Sequence, residues 1–102
     1  MQKATILKSN FLITVKIKDI YRIRQVAGES ILMIVGRNPG DMTKVMAFNE
    51  TALYLWNNLQ GRDFEIADVV KLLLQQYEID DSTALKDATS WVQILKEHSI
   101  VS

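Results

Sequence analysis

Met46-Ala47-Phe48-Asn49-Glu50-Thr51-Ala52-Leu53-Tyr54-Leu55-Trp56-Asn57-Asn58-Leu59 marks a switch in hydrophobic period from two to 3.6. Upstream of Asn49 the pattern alternates: Val45 and Ala47 on one side of a strand from Lys44 to Phe48, Met46 and Phe48 on the other. Downstream, Ala52, Leu55, Trp56 and Leu59 recur at helical spacing, and Asn49 stands where a helix takes its cap. Strands come first and helices second, which predicts an α+β chain.

Upstream of this switch, Phe11, Ile13, Val15 and Ile17 alternate with more polar neighbours and predict a strand that Asp19 ends. Tyr21, Ile23 and Gln25 oppose Arg22 and Arg24 in a second strand, and Ala27-Gly28-Glu29 is the turn after it. Ile31 to Val35 is continuously apolar and branched, which predicts a strand buried on much of both faces. Gly36-Arg37-Asn38-Pro39-Gly40-Asp41 is a loop by its Gly and Pro content. It lacks the Lys and Ser or Thr of a phosphate-binding loop.

Two helices follow the first. Gly61 stops the first helix and Asp63 is the expected cap of the second, whose stripe is Ile66, Val69, Val70, Leu73, Leu74 and Tyr77. Asp80 or Asp81 caps the third, with Ala84, Leu85, Ala88, Trp91, Val92 and Leu95 as its stripe. Lys96 and His98 lie in its last turn, where positive charge is favoured, and Ile100 and Val101 fold back as a tail. The expected fold is an antiparallel sheet of three or four strands followed by three helices, similar to a winged helix-turn-helix, in one domain over residues 1–102.

Composition narrows the chemistry. The chain has 102 residues, 48% of them hydrophobic, no cysteine, one histidine and zero net charge. Thiol catalysis, disulfides and cysteine metal sites are excluded, and a lone His98 makes no multi-histidine metal site. No apolar run reaches membrane-spanning length and no signal segment is evident, so a cytoplasmic protein is expected. No nucleophile-elbow or paired-carboxylate pattern appears, so the expectation is a binding module, not an enzyme, without cofactor or metal.

The charge is uneven. Residues 1–48 hold eight Lys or Arg against three acids, and residues 49–102 hold four against nine. The strand half would attract acidic partners, or the two halves attract each other. Duplex binding through a helix is disfavoured. Lys71, Gln75 and Gln76, or Lys86, Gln93 and Lys96, are interleaved with acids and form no basic stripe.

Several segments together resemble the PqqD-like family, the pyrroloquinoline quinone (PQQ) biosynthesis protein D group, also described as recognition elements for ribosomally made, modified peptides. They are Arg24-Gln25-Val26-Ala27-Gly28-Glu29, the strand to Val35 and Gly36, Phe48-Asn49-Glu50-Thr51-Ala52, Leu55-Trp56, Leu59, Gly61 and Asp63. Tyr77-Glu78-Ile79-Asp80, then Asp87, Trp91 and Leu95 at the family's spacing, continue the likeness, and Ser99-Ile100 stands where the family has glycine and leucine. The match covers about residues 18–101.

The resemblance implies a peptide chaperone that holds the leader of a precursor peptide and presents it to a modifying enzyme, often a radical S-adenosylmethionine enzyme. The leader would add as a strand beside Lys44, Val45, Met46, Ala47 and Phe48, with Leu85, Ala88, Thr89 and Val92 as the groove floor. Arg22, Arg24 and Lys44 would meet acidic leader residues. Two other readings stand beside it: a winged-helix nucleic-acid-binding protein, and an accessory subunit that docks to an enzyme without touching peptide. An open edge made by Phe11 to Ile17 would also invite a homodimer.

Overall fold

A computed structural model describes residues 14–34 and 44–102. Five strands and three helices are present among them: β1 (Val15–Lys16), β2 (Ile23–Val26), β3 (Glu29–Ile34), β4 (Lys44–Phe48), α1 (Glu50–Leu59), β5 (Asp63–Phe64), α2 (Ile66–Gln76) and α3 (Asp81–Glu97). The antiparallel sheet followed by three helices matches the expected class. Residues 11–13 of the first expected strand, Val35 and the Gly36–Asp41 loop lie outside the described residues.

β2, β3 and β4 form an antiparallel meander in that order. Ala27 and Gly28 make the two-residue turn between β2 and β3, both at positive φ (52° and 83°), as the twist of a tight hairpin requires. Ile23 pairs with Leu32, and Leu32 with Met46; Ser30 pairs with Phe48 and Ile34 with Lys44. This register stacks Leu32, Ile34 and Phe48 on the face that meets the helices, where all three are buried. The opposite face is open. Val26, Met33 and Val45 are 50%, 45% and 61% exposed, so β3 is buried on one face and not on both. The run from Ile31 carries no signal that distinguishes the two cases, because only the layers packed above and below decide it.

β1 does not join that sheet. Val15 pairs with Phe64 of β5, and Ile17 bridges Val101 of the tail. The N–H of Lys18 donates to Ile100 O at 2.9 Å, and that of Ser102 to Lys16 O at 2.9 Å. The described end of the first strand is thus flanked on both sides within the chain, and offers no open edge for a second copy at Val15 to Ile17. Ile17 is 1% exposed, so this segment completes the core although it precedes the segments that carried the family likeness.

The helices are set by their caps. Asn49 Oδ1 accepts from the Ala52 N–H at 2.8 Å and starts α1 as expected. Asp80 Oδ1 accepts from the Thr83 N–H at 2.8 Å and starts α3. Hydrogen bonds from the Thr83 side chain and then from its backbone hold the Asp80 carboxyl below the usual range, so the cap is charged at neutral pH. The start of α2 corrects the expectation: Asp63 lies in β5, and Glu65 is the cap, its N–H donating to the Asp68 carboxylate at 2.9 Å. Two further shifts from the expected stripes are Leu74 and Leu85, which are 38% and 49% exposed.

α3 ends in a Schellman arrangement. The Ile100 N–H donates to Leu95 O at 2.9 Å and the Ser99 N–H to Lys96 O at 3.0 Å, with Ser99 at φ 56°. That backbone position suits glycine, which is what the family likeness led one to expect there.

The core joins all layers. Trp56 meets Phe48 edge to face at 5.4 Å, and Phe64 lies tilted against Trp91 at 6.4 Å. Leu59, Val69, Ala84, Ala88, Leu95 and Ile100 are fully buried around them. Among the described residues no helix is long and apolar enough to cross a membrane.

Candidate functional site

β4 pairs with β3 on one side, and among the described residues nothing pairs with its other edge. Met46, Ala47 and Phe48 of this strand border a cleft of about 590 Å³. Glu29, Met46, Ala47, Phe48, Asn49 and Ala52 line it from the sheet and the start of α1; Trp91, Ile94 and Leu95 line it from α3.

Each wall has a local cause. Phe48 is the last residue of β4 and is buried edge-on against Trp56, which fixes the point where strand becomes helix. Asn49 then turns the chain, and its cap bond to Ala52 holds the inner end of the cleft. Met46, two residues before Phe48, shares its face and is half-buried. On α3, Trp91 and Ile94 are three residues apart and share a flank; Trp91 is half-buried and Ile94 is 43% exposed. The surface is therefore apolar and open beside a row of unsatisfied backbone groups. An edge of this kind has the chemistry to pair with an extended chain, whose alternate side chains could enter the cleft.

The residues expected from sequence divide into three sets. Lys44, Val45, Met46, Ala47 and Phe48 form one strand, as expected, and Met46, Ala47 and Phe48 line the cleft. Leu85, Ala88, Thr89 and Val92 are not among its lining residues. Ala88 and Val92 are 0% and 3% exposed and lie in the core, while Leu85 and Thr89 face solvent. Leu85 and Ile94 are nine residues apart, and nine residues at 3.6 per turn place them on opposite sides of the helix. The small residues Ala84 and Ala88 seat α3 closely on the core.

Arg22 and Arg24 are exposed, but they belong to the far side of the meander. β3 lies between β2 and β4, so Arg24 stands about 10 Å from β4. Among the described residues the one ion pair is Arg62 with Asp68 at 3.7 Å, and it is largely exposed. His98 is the C-cap of α3 and half-buried. Among the described residues no cluster of His, Asp and Glu could hold a metal ion.

Trp91, Ile94 and Leu95 form the helical wall of the cleft, where the sequence suggested Leu85, Ala88, Thr89 and Val92. Spacing alone does not single them out: Ile94 is a large apolar residue outside the stripe of Ala84, Ala88, Val92 and Leu95, but so is Leu85, and the two are 43% and 49% exposed.

Residues 26–101 match the family model described as Coenzyme PQQ synthesis protein D (PqqD). No curated protein and no solved structure matches the chain.

Proposed function

From the premise that this chain belongs to the PqqD family, we propose that it is a non-catalytic accessory protein of PQQ-type biosynthesis that captures the leader of a ribosomally made precursor peptide and presents it to a modifying enzyme. A radical S-adenosylmethionine enzyme is the proposed partner, and the cytoplasm the proposed place. The observation that carries the peptide-binding part is the free edge of β4 beside an apolar cleft. A leader strand hydrogen-bonds along Lys44 to Phe48, and its inward side chains lie against Met46, Trp91 and Ile94. The backbone pairing supplies affinity for any extended chain, and the cleft supplies selectivity.

One other observation favours docking to an enzyme without peptide contact. One face of the meander exposes Val26, Met33 and Val45, whose side chains no helix among the described residues covers. The two readings separate in one experiment. Titrating the pathway's leader peptide into ¹⁵N-labelled protein shifts the amides of residues 44–48 and 91–95 if the leader adds at β4. No shift in those segments, at leader concentrations into the millimolar range, refutes strand addition and leaves the docking reading. A DNA duplex at physiological salt shifts neither segment, because the helical half carries nine acids against four bases.

A further inference from the structure

Opposite charges flank β4: one at its start, outside the residues that line the cleft, and one that lines the cleft at its far end. Lys44 begins β4, exposed, paired across to Ile34. At the other end Ser30 pairs with Phe48, so Glu29 sits one position further along, beside Asn49, and lines the cleft with it. Both side chains are exposed, and among the described residues neither belongs to an ion pair. From Lys44 to Asn49 is five strand positions, about 17 Å at ~3.3 Å per residue. The edge strand therefore presents a cation at its start, and its neighbour β3 supplies a carboxylate at the Asn49 end, with Met46, Ala47 and Phe48 between them.

We infer that the cleft selects a segment of complementary polarity: an extended peptide with a carboxylate side chain near Lys44 and a basic side chain near Glu29, about five residues apart, with apolar side chains between them. This rests on the strand-addition reading and adds to it a substrate class and a direction. Antiparallel pairing is somewhat the more stable geometry. In that geometry the peptide's N-terminal end lies beside Glu29, so the basic residue precedes the acidic one in its sequence. The charges act at a solvated rim. Each matched end contributes a roughly two- to fivefold gain in affinity at low salt, which fades as salt rises.

The test uses three capped six-residue peptides that share a central Val-Thr-Val-Thr. In the first, Lys precedes this centre and Glu follows it; in the second both flanks are Lys; in the third both are Glu. Each is titrated into ¹⁵N-labelled protein at low salt. The Lys/Glu peptide binds the tightest to the natural chain. With Glu29→Lys the Glu/Glu peptide becomes the tightest, and with Lys44→Glu the Lys/Lys peptide does. A nitroxide at the Lys end of the first peptide broadens amides near Asn49, and one at the Glu end broadens those near Lys44. Glu29 and Lys44 are both exposed, so the variants keep the fold, which their amide spectra verify. Equal affinities for the three peptides, unmoved by the two variants, overturn the charge polarity and leave strand addition standing. Broadening at the opposite ends does the same. Absence of shifts at residues 44–48 with all three peptides into the millimolar range overturns strand addition itself, and the polarity with it.

Discussion

Replacing Trp56 by alanine lowers the unfolding free energy by about 3–5 kcal/mol, the range for removing a large aromatic from a packed interior. Trp56 is 1% exposed and meets Phe48 edge to face at 5.4 Å, so the substitution empties the joint between the sheet and the helices. A loss of that size is a large part of the ~5–15 kcal/mol that holds a small domain together. At ~4–8 °C per kcal/mol for a chain of this length, the melting temperature falls by roughly 12 °C or more. The same substitution loosens the β4–α1 corner that forms the inner end of the cleft. Leu74→Ala, on the exposed side of α2, serves as the comparison and changes the midpoint little, because surface substitutions are usually within about 0.5 kcal/mol. Thermal unfolding of both variants checks the placement. Equal small losses would mean that Trp56 is not the packed joint described.

The parts of the fold that were legible in the sequence are those set by neighbours along the chain. The strand from Lys44 to Phe48, the cap at Asn49 and the helix to Leu59 depend on local alternation, a side chain that accepts its own helix's N–H, and helical spacing. All three stand where those rules put them. The cap of α3, expected at Asp80 or Asp81, falls at Asp80 for the same reason. What failed depends on partners distant in sequence. Asp63 has the chemistry of a helix cap, but pairing of Phe64 with Val15, 49 positions earlier, draws Asp63 and Phe64 into a strand and passes the cap to Glu65. Nothing within the segment announces that pairing. The exposure of Met33 has the same origin: an apolar run reads alike whether one layer or two covers it.

The candidate site follows the same division. Its strand was readable because one residue slip would turn Phe48 outward, so the register is strongly fixed. Its helical wall was not readable. Periodicity finds the centre of the α3 stripe, but not which flank the sheet meets, and Leu85 and Ile94 are equally plausible from spacing alone. Small residues were a misleading guide: Ala88 is small because it is fully buried against the rest of the core. The same burial means that a bulky residue at Ala88 tests packing and not ligand binding.

Two substitutions on opposite flanks of α3 distinguish the two placements of the groove. Ile94→Glu weakens peptide binding by about tenfold or more, which corresponds to ~1.4 kcal/mol or more. The cost arises because a bound strand would shut a carboxylate into a cleft that Met46 and Trp91 line with apolar surface. Leu85→Glu, of the same chemistry on the far side of the helix, leaves affinity unchanged. Both positions are about half exposed, at 43% and 49%, so neither variant loses the fold and the pair controls for the added charge. The measurement is a titration of the Lys/Glu peptide, followed at the amides of residues 44–48. If Leu85→Glu alone weakened binding, the groove would lie on the flank that the stripe of Leu85, Ala88, Thr89 and Val92 first suggested, and the cleft at Trp91 and Ile94 would need another occupant. If both weakened it equally, net charge rather than contact would be responsible, and raising the salt concentration would remove the effect. Loss confined to Ile94→Glu and persistent at high salt is the result expected of a peptide side chain seated between β4 and α3.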